Sequence, residues 1–142
     1  AWVPALIAFA LTIFIGVALP KPGAQAAISD KTSGEPFSEA RLAALRAEGK
    51  PVFVYFTADW CLTCKVNEKA AIERVEVADA FGKAGVATLI GDWTRGDPAI
   101  GRFLAAHGRS GVPFYLFYPA GGGEPKELPQ VLTPSMLVAL AR

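Results

Sequence analysis

Hydrophobic and polar positions change their spacing several times along the chain, and each change marks an element. Residues 1–20 (AWVPALIAFALTIFIGVALP) carry no charge, and Val3–Leu19 is a nearly unbroken apolar run. A helix apolar on every side has no face for water, and about 17–18 such residues is the short end of a bilayer span. Residues 21–36 (KPGAQAAISDKTSGEP) are small, polar and Pro/Gly-bearing, which predicts a linker. From Phe37 to Glu48 the pattern is helical. Leu42 and Leu45 are spaced i, i+3, Ser38 is an N-cap, Phe37 is placed to staple onto Leu42, and Gly49 is a stop.

Val52–Thr57 is apolar on both faces, as a central strand covered by helices should be. A helix is predicted from Leu62 to about Ile72, with Val66, Ala70 and Ala71 turned inward, and a shorter one around Val77–Lys83 ends at Gly85. Val86–Asp92 reads as a second strand and Trp93–Gly96 as a loop. Asp97-Pro98 opens a helix with a cap and a proline at its first position, buries Ile100, Phe103 and Leu104, and closes at His107-Gly108. Phe114–Tyr118 is a third apolar strand. The glycine-rich turn 120–123 and a short strand near Lys126–Leu128 make an antiparallel hairpin with it. Thr133-Pro134 caps a last helix to about Ala141, with Met136, Leu137 and Leu140 inward. Helix, strand, helix, strand, helix, hairpin, helix is a small α/β domain with a mixed sheet, spanning residues 37–142.

Composition narrows the picture. The chain is 52% apolar with net charge +1, and its two charge signs are mixed without a basic block, which gives nucleic-acid binding little support. For the apolar run two readings compete. One is a transmembrane helix, the last of a longer membrane protein, bounded by Trp2 and by Pro20-Lys21. The other is a secretory signal with Ala24-Gln25-Ala26 as its cleavage site, which lacks a basic leading region. Both place the rest of the chain outside the cytoplasm.

The chemistry sits at Ala58-Asp59-Trp60-Cys61-Leu62-Thr63-Cys64-Lys65, which holds the only two cysteines of 142 residues. They are spaced C-x-x-C where a buried strand gives way to a helix, the pattern of a redox pair rather than of a multi-bridge scaffold. Cys61 lies at the helix start, expected to be exposed, where unpaired N–H groups and the positive dipole end favour the nucleophilic thiolate. Cys64, one turn on, is placed to resolve a mixed disulfide. A purely structural disulfide closes too short a loop to matter much. A zinc site lacks ligands, since His107 is the one other soft donor and lies far along the chain. A copper-carrying C-x-x-C is the rival from another functional class. Read from residues alone, Pro113 is an ordinary trans proline at a strand start.

The element order, Trp60–Lys65 and the later Val112-Pro113 resemble the thioredoxin superfamily over residues 37–142. Residues 55–68 (YFTADWCLTCKVNE), 91–98 (GDWTRGDP) and 108–113 (GRSGVP), with an apolar helix upstream, resemble more narrowly the C-terminal periplasmic domain of the DsbD family of thiol:disulfide interchange proteins. That resemblance implies a thioredoxin-like fold preceded by a transmembrane helix in the bacterial inner membrane. It implies a protein-disulfide reductase that needs no dissociable cofactor. Electrons would arrive from a membrane-embedded domain of the same longer protein. They would leave through an N-terminal domain to periplasmic acceptors, among them disulfide isomerases and cytochrome c maturation proteins. A freestanding exported thioredoxin-like oxidoreductase is the alternative within the same class.

The resemblance also implies roles. Val112-Pro113 is expected to be cis and to lie against the C-x-x-C, with the backbone before Pro113 pairing with a partner chain. Trp60 is expected to border the site and shield the sulfurs, against the alternative of a core aromatic. Glu68 follows Cys64 by four residues and so shares its helical face. A glutamate there is implied to help set the cysteine pKa values, its alternative being a solvated carboxylate. Tyr55 departs from the pattern, standing six residues before Cys61 where many relatives carry a buried aspartate. A tyrosine, with its reference pKa of about 10, is no anionic base near neutrality. Glu68 or a water would then take over the acid–base role, and Tyr55 would only pack. Asp59, Lys65, Arg95, Arg102, Arg109 and His107 read as surface or capping residues, and Trp93-Thr94 either rims the site or packs.

Overall fold

The computed structural model describes residues 34–142. The apolar run 1–20, its alternative reading as a signal, and residues 21–33 of the linker lie outside the described residues. Among the described residues no helix is long and apolar enough to cross a membrane.

Five strands form one mixed sheet: β1 (Glu35–Pro36), β2 (Val52–Thr57), β3 (Ala87–Asp92), β4 (Phe114–Tyr118) and β5 (Lys126–Glu127), in the order β1-β3-β2-β4-β5. β1, β3 and β2 are parallel, while β4 and β5 run antiparallel, so the mixed α/β architecture read from the sequence is the one observed. The folded unit starts slightly earlier than expected, because Glu35-Pro36 pairs with Leu89-Ile90 at the sheet edge.

β2 is central and every one of its residues is buried. Alternation along the strand divides its side chains between two cores. Val52, Val54 and Phe56 face α1 (Glu39–Ala47) and α4 (Pro98–Ala106), packing with Leu42, Leu45, Phe103 and Leu104. Phe53 and Tyr55 face the opposite layer. It consists of α2 (Leu62–Asn67), a π-helical turn over Glu68–Ile72, α3 (Val75–Ala84) and α5 (Pro134–Leu140). Thr57 follows Tyr55 by two and therefore points the same way.

The predicted caps form. Ser38, Asp97 and Thr133 side chains each accept an N–H of the first turn, and Gly85 ends α3 in the left-handed conformation that spares it a Cβ clash. Phe37 reaches past the expected staple, with its ring edge-on to Phe56 and Phe103 at 4.9 Å each.

Three inward assignments are corrected. Val66 and Met136 are 54% and 41% exposed, and Ala70 is also exposed. The buried stripe of the 62–72 segment is instead Cys64, Asn67, Glu68, Ala71 and Ile72. That stripe keeps i, i+3, i+4, i+7, i+8 spacing, but two of its members are polar, so apolar periodicity alone selects the wrong face.

Candidate active site

The site is built where β2 ends. Ala58, fully buried, turns the chain, and Asp59-Trp60 leads to Cys61, the N-cap of α2. Cys61 and Cys64 form a disulfide with Cα atoms 5.3 Å apart, and the Cys64 N–H donates to Cys61 Sγ at 3.2 Å. The first sulfur thus occupies the capping position, where a helix presents its orphan N–H groups. Cys61 is less exposed than expected, at 7%, against 1% for Cys64. Val112 covers part of the pair, packing against Ala58 and both cysteines, and the Val112–Pro113 bond is cis.

Trp60 stands beside the pair and is 61% exposed, which rules out a core role for it. Its indole N–H donates to the Thr94 carbonyl at 3.1 Å, and its ring lies 6.4 Å from that of Trp93. The loop after β3 clasps the turn before Cys61. Thr94 Oγ1 accepts from the Asp59 N–H at 2.9 Å and donates to Asp92 Oδ1 at 2.5 Å. Trp93 therefore packs behind the rim while Thr94 holds it.

Beneath the helix lies a polar floor that periodicity did not reveal. Glu68 is 9% exposed, and its Oε1 accepts from the Thr57 hydroxyl at 2.5 Å. Lys65 Nζ donates to Glu68 Oε2 at 3.0 Å and lies 3.9 Å from Asp59 Oδ1. Lys65 is thus no merely solvated cation, since it joins an exposed carboxylate to a buried one. Glu68 and Cys64 share the inward face as expected.

Tyr55 is 2% exposed, with its ring 5.6 Å from Phe53 in the aromatic layer under this floor. Beside it, Tyr115 accepts from Asn67 Nδ2 at 2.8 Å. Asn67 also donates to the Gln130 carbonyl at 2.7 Å and accepts from the Leu132 N–H at 3.1 Å, which fixes its amide orientation. Burial pushes the Tyr115 hydroxyl up to about 12, with the Asn67 hydrogen bond opposing and the Glu68 charge adding.

Thr57, Asn67, Tyr115 and Asp92 were absent from the residues the sequence singled out, and Thr94 was named there only as rimming the site or packing. For Thr57 a signal existed, because strand alternation puts it on the helix-covered face two residues after Tyr55. Asn67 had one as well, three residues from Cys64 on the same stripe. His107 ends α4 at the surface, its Nδ1 paired with the Phe103 carbonyl at 2.8 Å, and it lies in the capping role expected of it. Among the described residues no group of three or more His, Cys, Asp or Glu side chains is arranged to hold a metal ion.

A strand–turn–helix carrying a C-x-x-C disulfide, packed against the valine that precedes a cis proline, defines a thiol–disulfide exchange site. The model of the thioredoxin-like family matches residues 34–120, and the chain belongs to that family.

Within it, the domain is DsbD-like. It is 37% identical over 93 residues to the thiol:disulfide interchange protein DsbD 1 of Pseudomonas aeruginosa, covering 63% of this chain and 15% of that protein. It is 33% identical over 84 residues to DsbD of Vibrio cholerae, covering 59% and 14%. The chain therefore spans about a seventh of the length of these relatives. Among solved structures, the oxidised C-terminal domain of Neisseria meningitidis DsbD shares the fold with a TM-score of 0.60 at 23% identity, over 75% of this chain and 95% of that one. Trxlp from Edwardsiella tarda follows with a TM-score of 0.57 at 25% identity, over 77% and 98%.

Proposed function

We propose that this domain is a protein-disulfide reductase in a DsbD-type electron conduit. It takes electrons from a membrane-embedded domain of the same longer protein and passes them to periplasmic proteins. On this reading the domain lies on the periplasmic side of the inner membrane. The observation that carries the reading is the Cys61–Cys64 disulfide at the start of α2, covered by Val112 before a cis proline. The 37% identity to a DsbD protein supports it.

The exchange runs through sulfur alone. In the reduced domain the Cys61 thiolate attacks one sulfur of a partner disulfide. A Cys61–partner bond forms, and the partner's other sulfur leaves as a thiolate. Cys64 gives up its proton and attacks Cys61 Sγ, the mixed disulfide breaks, and the partner departs with two electrons on two thiolates, which take their protons from water. Glu68, on the Cys64 face and held by Thr57 and Lys65, is the group that receives the Cys64 proton. Tyr55 packs below and takes no proton. The membrane domain returns the Cys61–Cys64 disulfide to the dithiol by the reverse exchange.

Replacing Cys64 with Ser is expected to trap mixed disulfides through Cys61, while Cys61→Ser traps none. Trapping through Cys64 in the Cys61 variant would reverse the two roles. Tight 1:1 binding of Cu(I) to the reduced chain, together with failure to reduce insulin disulfides, would instead make the pair a copper site.

A further inference from the structure

Beside Val112 the surface falls into an open depression of about 260 Å³, lined by Gly108, Arg109, Ser110, Gly111, Val112 and Gln130. Val112 belongs to both places, because its other side packs on the two cysteines. A chain segment lying across Cys61 and the Val112 backbone therefore runs its neighbouring side chains into this depression. None of the hydrogen bonds among the described residues engages the backbone of Ser110, Gly111 or Val112, so that edge is free for such a segment.

Arg109 is the charged group of the depression. Its N–H is anchored to the Leu104 carbonyl at 2.9 Å, and its guanidinium lies 5.4 Å from the Phe114 ring centre. The side chain is only 26% exposed, yet its one hydrogen bond is a long contact of 3.4 Å to Glu127 Oε1. Its other N–H groups have no partner among the described residues. A guanidinium presents a planar fork that suits a carboxylate in two parallel hydrogen bonds. Glu127 offers a single stretched contact and is 53% exposed, so an incoming carboxylate displaces it at little cost. Gln130, an exposed residue of the same lining, adds an uncharged amide.

We infer that Arg109 makes this domain selective for partner segments that carry a carboxylate close to the cysteine attacked by Cys61. The inference rests on the reductase reading above. In an extended segment, side chains two residues apart share a face, so the selected Asp or Glu lies two residues from that cysteine.

The test uses the reduced full chain and two disulfide-bonded peptides, identical except for Asp or Asn two residues from one cysteine. Wild type is expected to reduce the Asp peptide about tenfold faster, the effect of one desolvated charge-assisted pair. The preference should shrink as salt is raised. Arg109→Gln should bring the ratio to about one, and Glu127→Gln should enlarge it. Equal rates for the two peptides with wild type, or a preference that survives Arg109→Gln, would overturn the assignment. Were the Arg109 variant to fold poorly, an unchanged ratio in Glu127→Gln would also count against it. Failure of wild type to reduce either peptide would overturn the reductase reading itself, an outcome distinct from equal rates.

Discussion

Thr57 and Glu68 meet across the floor of the site, the last residue of β2 donating its hydroxyl to a carboxylate one turn beyond Cys64, at 2.5 Å. Both residues are buried, and among the described residues Lys65 supplies the second donor to that carboxylate. A hydrogen bond to a charged acceptor contributes about 1.5–3 kcal/mol. Thr57→Val keeps the shape and removes the donor, so it should lower stability by that amount in urea unfolding of the oxidised chain. Thr57→Ser should stay near wild type. Equal stabilities for the Val and Ser variants would show that the hydroxyl does not hold Glu68. If Glu68 receives the Cys64 proton, the Val variant should also resolve mixed disulfides more slowly than the Ser variant.

Tyr115 makes stability depend on alkaline pH. Its folded-state pKa is raised to about 12, chiefly by burial, against about 10 in an unfolded chain. The native state thus holds this proton more tightly. The contribution is complete below pH 10 and is lost as pH rises from 10 through 12. Unfolding free energies measured at pH 9 and pH 11 should fall in that direction. Tyr115→Phe should lessen the fall, with Tyr118, also raised by burial, supplying part of what remains. A fall of the same size in wild type and variant would remove Tyr115 as its source.

Gly91 is required by the ring of Phe56, its register partner on β2. A Cβ on Gly91 would lie 2.3 Å from Phe56 Cδ1, and Phe56 is fully buried between α1 and α4, with no room to withdraw. Gly91→Ala should therefore destabilise by about 1–3 kcal/mol, the range for overpacking a filled core. A double variant with Phe56→Leu should recover part of the loss. If the two costs simply add, the clash is not the cause.

The strands, the caps and the C-x-x-C were legible because each is written in a local pattern. Val52–Thr57 is apolar throughout, Asp97-Pro98 and Thr133-Pro134 announce their helices, and the cysteine pair has its own spacing. The floor of the site was hard to read for the opposite reason. Glu68 and Asn67 occupy inward positions of a helix whose apolar Val66 faces water. Only the closure of the sheet shows which polar side chains find partners inside. Val112-Pro113 belongs between these cases, since its residues read as an ordinary strand entry and only the family resemblance pointed to the cis bond. The clasp of Asp92 and Thr94 on Asp59 joins loops 35 residues apart, a distance at which no periodicity speaks.

Asn67 is the residue through which that hidden floor is tied to the rest of the domain. Its side chain gathers the Tyr115 hydroxyl, the Gln130 carbonyl and the Leu132 N–H, linking α2 to β4 and to the segment that enters α5. Asn67→Ala abandons all three at once, and each is worth about 1 kcal/mol, so a loss of about 3 kcal/mol is expected. The loss should also be local in origin. The Leu132 amide loses its acceptor, so its hydrogen exchange should accelerate well beyond that of Val54 in the central strand. Asn67→Asp should recover only part of the loss, because a carboxylate can accept from the Leu132 N–H and the Tyr115 hydroxyl but has no N–H to give the Gln130 carbonyl. If the Leu132 amide kept its protection relative to Val54 in the Ala variant, the segment before α5 would be held by its apolar contacts alone. Asn67 would then be a passenger in the buried stripe rather than its anchor.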